Sequence, residues 1–106
     1  MANLNDNMSN YFSKEVVSNS FVNITTATTT VVKASSGILK SITINSLGTV
    51  ASLVTIYNNT AASGAKIGTI NSLTIYGSFT FNVPFSTGLT IVTTGTVAPD
   101  ITVVYQ

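Results

Sequence analysis

Cysteine, histidine, tryptophan and arginine are all absent from this chain. The lack of cysteine rules out a disulfide framework, a thiolate metal site and a thiol nucleophile, and leaves the redox compartment open. Without histidine, the commonest general base and the commonest nitrogen ligand for a metal are missing. Charge is scarce as well: 7% of residues are charged, against about 25% in an ordinary soluble domain. Lys14, Lys33, Lys40 and Lys66 are scattered and are the only cations, so no basic patch exists to neutralise a run of phosphates, and a nucleic-acid partner is not expected. No apolar run approaches the roughly 20 residues of a membrane-spanning helix, and no membrane association is expected. The opening MANLNDNMSN has neither the basic start nor the apolar centre of a secretory signal, so the expected place of synthesis and residence is the cytoplasm of the producing cell. Serine, threonine and asparagine must supply the polar surface that charge does not.

What the chain does contain is alternation. Between Gly77 and Ile91 it reads GSFTFNVPFSTGLTI. Phe79, Phe81, Val83 and Phe85 fall on every second position, with Ser78, Thr80, Asn82 and Pro84 between them, which predicts a half-buried strand. A fully buried phenylalanine is worth roughly 1.5–3 kcal/mol, so this face is expected at the centre of the core. Pro84 donates no ladder hydrogen bond, which requires a strand end, a bulge or a sheet edge there. Ser86-Thr87-Gly88 then turns the chain.

Residues 1–20 lack this pattern and hold two of the three acids, Asp6 and Glu15; they are read as an N-terminal arm, followed by one domain over residues 21–106. Phe21, Val22 and Ile24 open a strand, and beyond a threonine-rich passage Val31-Val32-Lys33 forms a second strand or the continuation of the first. Ala34-Ser35-Ser36-Gly37 is turn chemistry. From Ile38 the expected phase puts Ile38, Ile42 and Ile44 on one side and Leu39, Ser41, Thr43 and Asn45 on the other. Lys40 interrupts the apolar side and is placed near a sheet rim, where its stem can lie on apolar surface with the ammonium in water. Ser52–Tyr57 is apolar on both faces, as a central strand or one covered by a neighbouring subunit would be. Lys66–Ile70 and Leu73–Tyr76 read as short strand pieces, and Ile101, Val103 and Tyr105 share a face of the last strand. No ordinary helix is signalled. Seven or eight short strands at intervals of about ten residues predict an all-β fold, an antiparallel sandwich or small barrel, with a jelly-roll-like β-sandwich favoured.

The chemical inventory is thin. Asp100 beside Pro99 is expected to cap backbone amides of its turn. A serine or threonine nucleophile would depend on a lysine or on Tyr11, Tyr57, Tyr76 or Tyr105 as base, and nothing marks any of them for it. Three distant acids make no metal site. Gly64 and Gly68 lie in a small-residue loop with no GK[ST] ending, so no phosphate cradle is predicted. The triplets Asn23-Ile24-Thr25 and Asn58-Asn59-Thr60 match a glycosylation pattern that a chain this rich in threonine and asparagine produces by chance. No catalytic residue, cofactor or metal is assigned.

The layout VVKASSGILKSITINSLGTVASLVTIYNN, a small-residue loop, then GSFTFNVPFSTGLTIVTTGTVAPDITVVYQ resembles the small β-sandwich virion proteins of tailed bacteriophages, which include head decoration (cement) proteins and head fibres. The resemblance rests on Gly37-Ile38, Tyr57 before its loop, Phe85 to Leu89 and Tyr105. It implies a non-enzymatic protein on the capsid exterior that binds the major capsid protein and itself, with a trimer favoured. A neck or tail fibre, or a receptor- or glycan-binding module of the virion, is the alternative. The arm lies outside the match, and Tyr11, Phe12, Val16 and Val17 are its candidate contacts with capsid or protomer, as aromatic and aliphatic anchors beside a terminus.

Overall fold

The computed structural model describes residues 18–106. They form eight strands: β1 (Ser20–Ile24), β2 (Thr29–Lys33), β3 (Gly37–Ser46), β4 (Val54–Asn58), β5 (Ala65–Ile70), β6 (Gly77–Phe85), β7 (Leu89–Thr93) and β8 (Asp100–Tyr105). Two antiparallel four-stranded sheets result, in the orders β1-β8-β3-β6 and β2-β7-β4-β5. There is no helix among the described residues. Threonine, valine and isoleucine dominate the strands because their branched Cβ suits the pleat.

Both sheets contribute to one core. Ile24, Leu39, Ile42, Ile44, Phe85, Ile101 and Val103 come from the first sheet and Val54, Ile56, Ile70, Leu89 and Ile91 from the second. Every buried polar side-chain atom among the described residues has a hydrogen-bond partner. β4 is central in its sheet, between β7 and β5, one of the two placements expected for it; Val54 and Ile56 are buried, and Tyr57 is half-buried.

The phenylalanine strand departs from expectation in one respect. β6 is an edge strand, hydrogen-bonded to β3 alone. Only Phe85 is fully buried; Phe79 and Phe81 are half-buried and pack on the margin of the core. A strand at the edge has a neighbour on one side only, so its side chains gain cover on one flank. Phe81 lies against Gly68 of β5, where an added Cβ would meet its ring at 3.7 Å. Pro84 is accommodated by the edge position, and β6 also carries a bulge at Asn82, whose φ is 51°. Asparagine tolerates that left-handed conformation better than most residues.

β3 corrects the expected phase. Leu39 pairs with Tyr105 and Ser41 with Val104 on β8, so Lys40 is an extra residue. On the other side Leu39 pairs with Val83 and Ser41 with Thr80, leaving one further extra residue on β6. The bulge resets the alternation. Leu39 and Ile42 are both completely buried, Leu39 being on the side the simple period assigns to polar residues. Lys40 sits in an interior strand of its sheet at the bulge, not at a rim.

Leu73–Tyr76 is not a strand: residues 72–74 form a turn and Ile75 and Tyr76 lead irregularly into β6. The Asn71 side-chain oxygen accepts from Leu73 N at 3.1 Å, and its carbonyl accepts from Ile75 N at 3.1 Å. This local closure outcompetes the apolar pattern.

Antiparallel pairing throughout sends the chain back and forth along one axis. The connections 25–28, 47–53, 71–76 and 94–99 therefore gather at one end of the molecule, and 34–36, 59–64 and 86–88 at the other.

Candidate functional site

The first of these ends is a closed hydrogen-bonded tip. Gly48 N donates to Ser72 O at 3.0 Å, Thr49 N to Val97 O at 2.9 Å and Thr94 N to Leu53 O at 3.0 Å, so three loops are tied to one another. Beneath them the hydroxyls of Ser52 and Ser72 meet at 2.7 Å, both buried. Gly48 permits this closeness, since a Cβ there would lie 2.6 Å from Val97 O and clash with the Ser52 hydroxyl. Val50 and Ala51 hold φ angles of 23° and 62°, a conformation that costs a residue with a Cβ about 1–3 kcal/mol. Surrounding bonds impose it: Thr96 N donates to Val50 O at 3.2 Å and the Thr94 hydroxyl to Ala51 O at 2.7 Å.

The tip is also where apolar surface is left uncovered. Of the large hydrophobic side chains exposed among the described residues, Leu47, Val50 and Leu53 belong to the first loop, Leu73, Ile75 and Tyr76 to the second and Val97 to the third. Only Phe21 and Val31 lie elsewhere, on strands β1 and β2. The three loops, LGTVASL, NSLTIY and TGTVAP, contain no charged residue. Lys33 closes β2, Lys40 lies near the start of β3 and Lys66 near the start of β5, all toward the opposite end.

Asp100 has a structural placement. Its Oδ1 accepts from Asn23 Nδ2 at 2.7 Å and from Asn45 Nδ2 at 3.0 Å, joining β1, β8 and β3. Its partners are side-chain amides of the neighbouring strands, in place of the expected backbone amides of its own turn. The Asn23 amide, followed by that of Asn45, holds its carboxyl below the ordinary value, against a small opposing effect of burial. The amide nitrogens of the two glycosylation-pattern triplets are engaged as well. Asn23 donates to Asp100 and to Ile101 O at 2.8 Å, and Asn58 donates to the Ser86 hydroxyl at 3.2 Å. Asn58 Oδ1 also accepts from Ser86 N and Thr87 N, which fixes the turn at 86–88.

Tyr57 and Tyr105 are half-buried on different sheets, and Tyr76 is exposed at the tip. Tyr11, Phe12, Val16 and Val17 lie outside the described residues. Among the described residues there is no cavity of ligand size and no group of three metal-ligating side chains. No helix among them is long and apolar enough to cross a membrane. The tip was not singled out from the sequence because its parts read separately, Leu73–Tyr76 as a strand piece, Ser52 and Leu53 as the start of a strand, and the remainder as turns. The available signal was the recurrence of valine, leucine, isoleucine and tyrosine inside three glycine-, serine- or proline-bearing turns. No family model, no curated protein and no solved structure matches this chain.

Proposed function

We propose that this chain is a non-enzymatic structural protein of a tailed-phage virion, a capsid decoration protein that binds the major capsid protein and stabilises the assembled head from outside. The observation that carries the reading is the pair of strand orders, β1-β8-β3-β6 and β2-β7-β4-β5. They are the orders of two interleaved Greek keys, and on this reading the fold is a jelly-roll β-sandwich, an architecture used by viral capsid proteins. The sequence resemblance to small phage virion proteins supports the same assignment. A charge-poor surface is compatible with close packing among many copies, because neighbours repel weakly.

Stabilisation would follow from linkage. A protein that binds only where capsomers are already in place adds its binding free energy to the assembled state and nothing to the free subunits. The anchors assigned on this reading are Tyr11, Phe12, Val16 and Val17 in the arm, with self-association into a homo-oligomer, a trimer favoured, adding avidity across adjacent capsomers.

The test is binding of the purified full chain to assembled heads stripped of it and to unassembled major capsid protein. Saturable binding to heads alone is expected, and Tyr11→Ser combined with Phe12→Ser should weaken it by about tenfold or more, as loss of interface anchors does. Equal binding to unassembled protein, or no binding to heads, would overturn the assignment.

A further inference from the structure

We infer that the outer face of the sheet β1-β8-β3-β6, over Phe21, Asn23, Asn45, Asp100 and Thr102, is a binding site for neutral carbohydrate. Capsid binding through the arm, as proposed above, would use other residues.

The ladder registers fix the placement. Asn23 lies opposite Thr102, Thr102 opposite Thr43, and Thr43 opposite Ser78, so these four form one polar row across all four strands. Neighbours in the row are about 4.8 Å apart, and Phe21 stands roughly 7 Å from Asn23 along β1 on the same face. Ile24, Ile42, Ile44, Ile101 and Val103, at the alternate positions, are buried in the core. The row and Phe21 therefore face outward, and Phe21 is 73% exposed.

Hydrogen-bonding capacity selects the ligand. Asn23 Nδ2 donates to Asp100 Oδ1 at 2.7 Å and to Ile101 O at 2.8 Å. Asn45 Nδ2 donates to Asp100 Oδ1 and to the Thr102 hydroxyl, both at 3.0 Å. Each amide has thereby spent both of its donors. Among the described residues nothing donates to Asn23 Oδ1, Asn45 Oδ1 or Asp100 Oδ2. A set of fixed acceptors is left, while the Thr102 hydroxyl, accepting from Asn45, keeps its own proton to donate. The Thr43 and Ser78 hydroxyls share one bond at 2.8 Å and leave one proton between them.

These groups match a ligand that brings several hydroxyls, each able to donate to an acceptor and to accept from a neighbouring hydroxyl. A phosphate or carboxylate would bring acceptors alone and would meet the Asp100 charge. A divalent cation asks for more carboxylate than one aspartate supplies, and no group of three metal-ligating acids lies among the described residues. Phe21 supplies the apolar half of the site, since the C–H face of a sugar ring packs on the electron-rich face of an aromatic ring. Asp100 holds both amides in place before any ligand arrives, so little freedom is lost on binding.

The purified full chain is applied to an array of neutral and acidic oligosaccharides, and the strongest neutral ligand is then titrated into wild type, Phe21→Ala, Asp100→Asn and Val31→Ser. The expected result is saturable binding of neutral oligosaccharide, weakened about tenfold or more in Phe21→Ala and in Asp100→Asn. Both variants change surface groups, so each should unfold near the wild-type temperature. Val31→Ser, exposed on β2 of the other sheet, should leave binding unchanged. Failure to bind any neutral oligosaccharide overturns the inference, and so does binding that both site variants retain or that Val31→Ser abolishes. Binding of acidic glycans alone would assign recognition to lysine, and binding abolished by EDTA would assign the acceptors to a cation; either also overturns it. Head binding is read separately, so failure here leaves the decoration reading to its own test.

Discussion

Leu39 is wholly buried although an unbroken alternation through β3 groups it with Ser41, Thr43 and Asn45. Its burial predicts that Leu39→Ala destabilises the chain by about 2–5 kcal/mol, whereas Thr43→Ala, on the outer face, should stay near 0.5 kcal/mol. Denaturant unfolding of the two variants checks this, and similar midpoints would mean that the bulge at Lys40 is misplaced. Asp100 yields a pH prediction. Its carboxyl is held below the ordinary value by Asn23 and then Asn45, so its contribution is fully present above the usual carboxylate range, about pH 4. It is lost as the pH falls through the lower folded value. The residue is half-buried and its hydrogen bonds lie at the surface, where solvent screens them, so the contribution is small, about 0.5 kcal/mol. Asp100→Ala should show that deficit at pH 7 and approach wild type as the pH falls below the usual carboxylate range; a deficit that does not shrink in acid would mean that the carboxylate charge plays no part.

At the level of elements, the strands were legible because burial on one face imposes a period of two, and threonine, valine and isoleucine reinforce it. β1, β2, β4, β5, β7 and β8 fall where that pattern places them, within a residue or two. The period fails where backbone geometry intervenes. The bulge at Lys40 shifts the phase of β3 without any change of residue class, and no local signal marks Lys40 as an extra residue, whereas β6 keeps its alternation through its bulge. Leu73–Tyr76 carries apolar residues like a strand, yet the side chain and carbonyl of Asn71 close a turn first. Which phenylalanines are central depended on strand order, which alternation does not encode; β6 became an edge and Phe85 alone of its aromatic residues went fully inside. The tip was hidden for a related reason, since it exists only when three connections distant in sequence meet. Gly48 is the element-scale test of that meeting. A Cβ at this position would press on the Val97 carbonyl at 2.6 Å, so Gly48→Ala should cost about 1–3 kcal/mol, the usual penalty of overpacking. Thermal unfolding as stable as wild type would show that the loops are not tied as described.

For the whole molecule, the division of labour follows from where chemistry is concentrated. The core is shared by both sheets and its polar atoms are satisfied, which makes a stiff body. The three lysines of the described residues lie toward one end and uncovered apolar surface at the other. A stiff body with uncovered apolar surface at one end suits assembly into a larger structure, and decoration of a capsid is the form of assembly proposed. The most direct measurement of that claim is the copy number of this chain relative to the major capsid protein in purified particles, by quantitative mass spectrometry. A decoration protein should be present in hundreds of copies at a simple ratio to the capsid protein. A dozen or so copies would transfer it to the neck or tail, and its absence from the particles would contradict the virion assignment altogether.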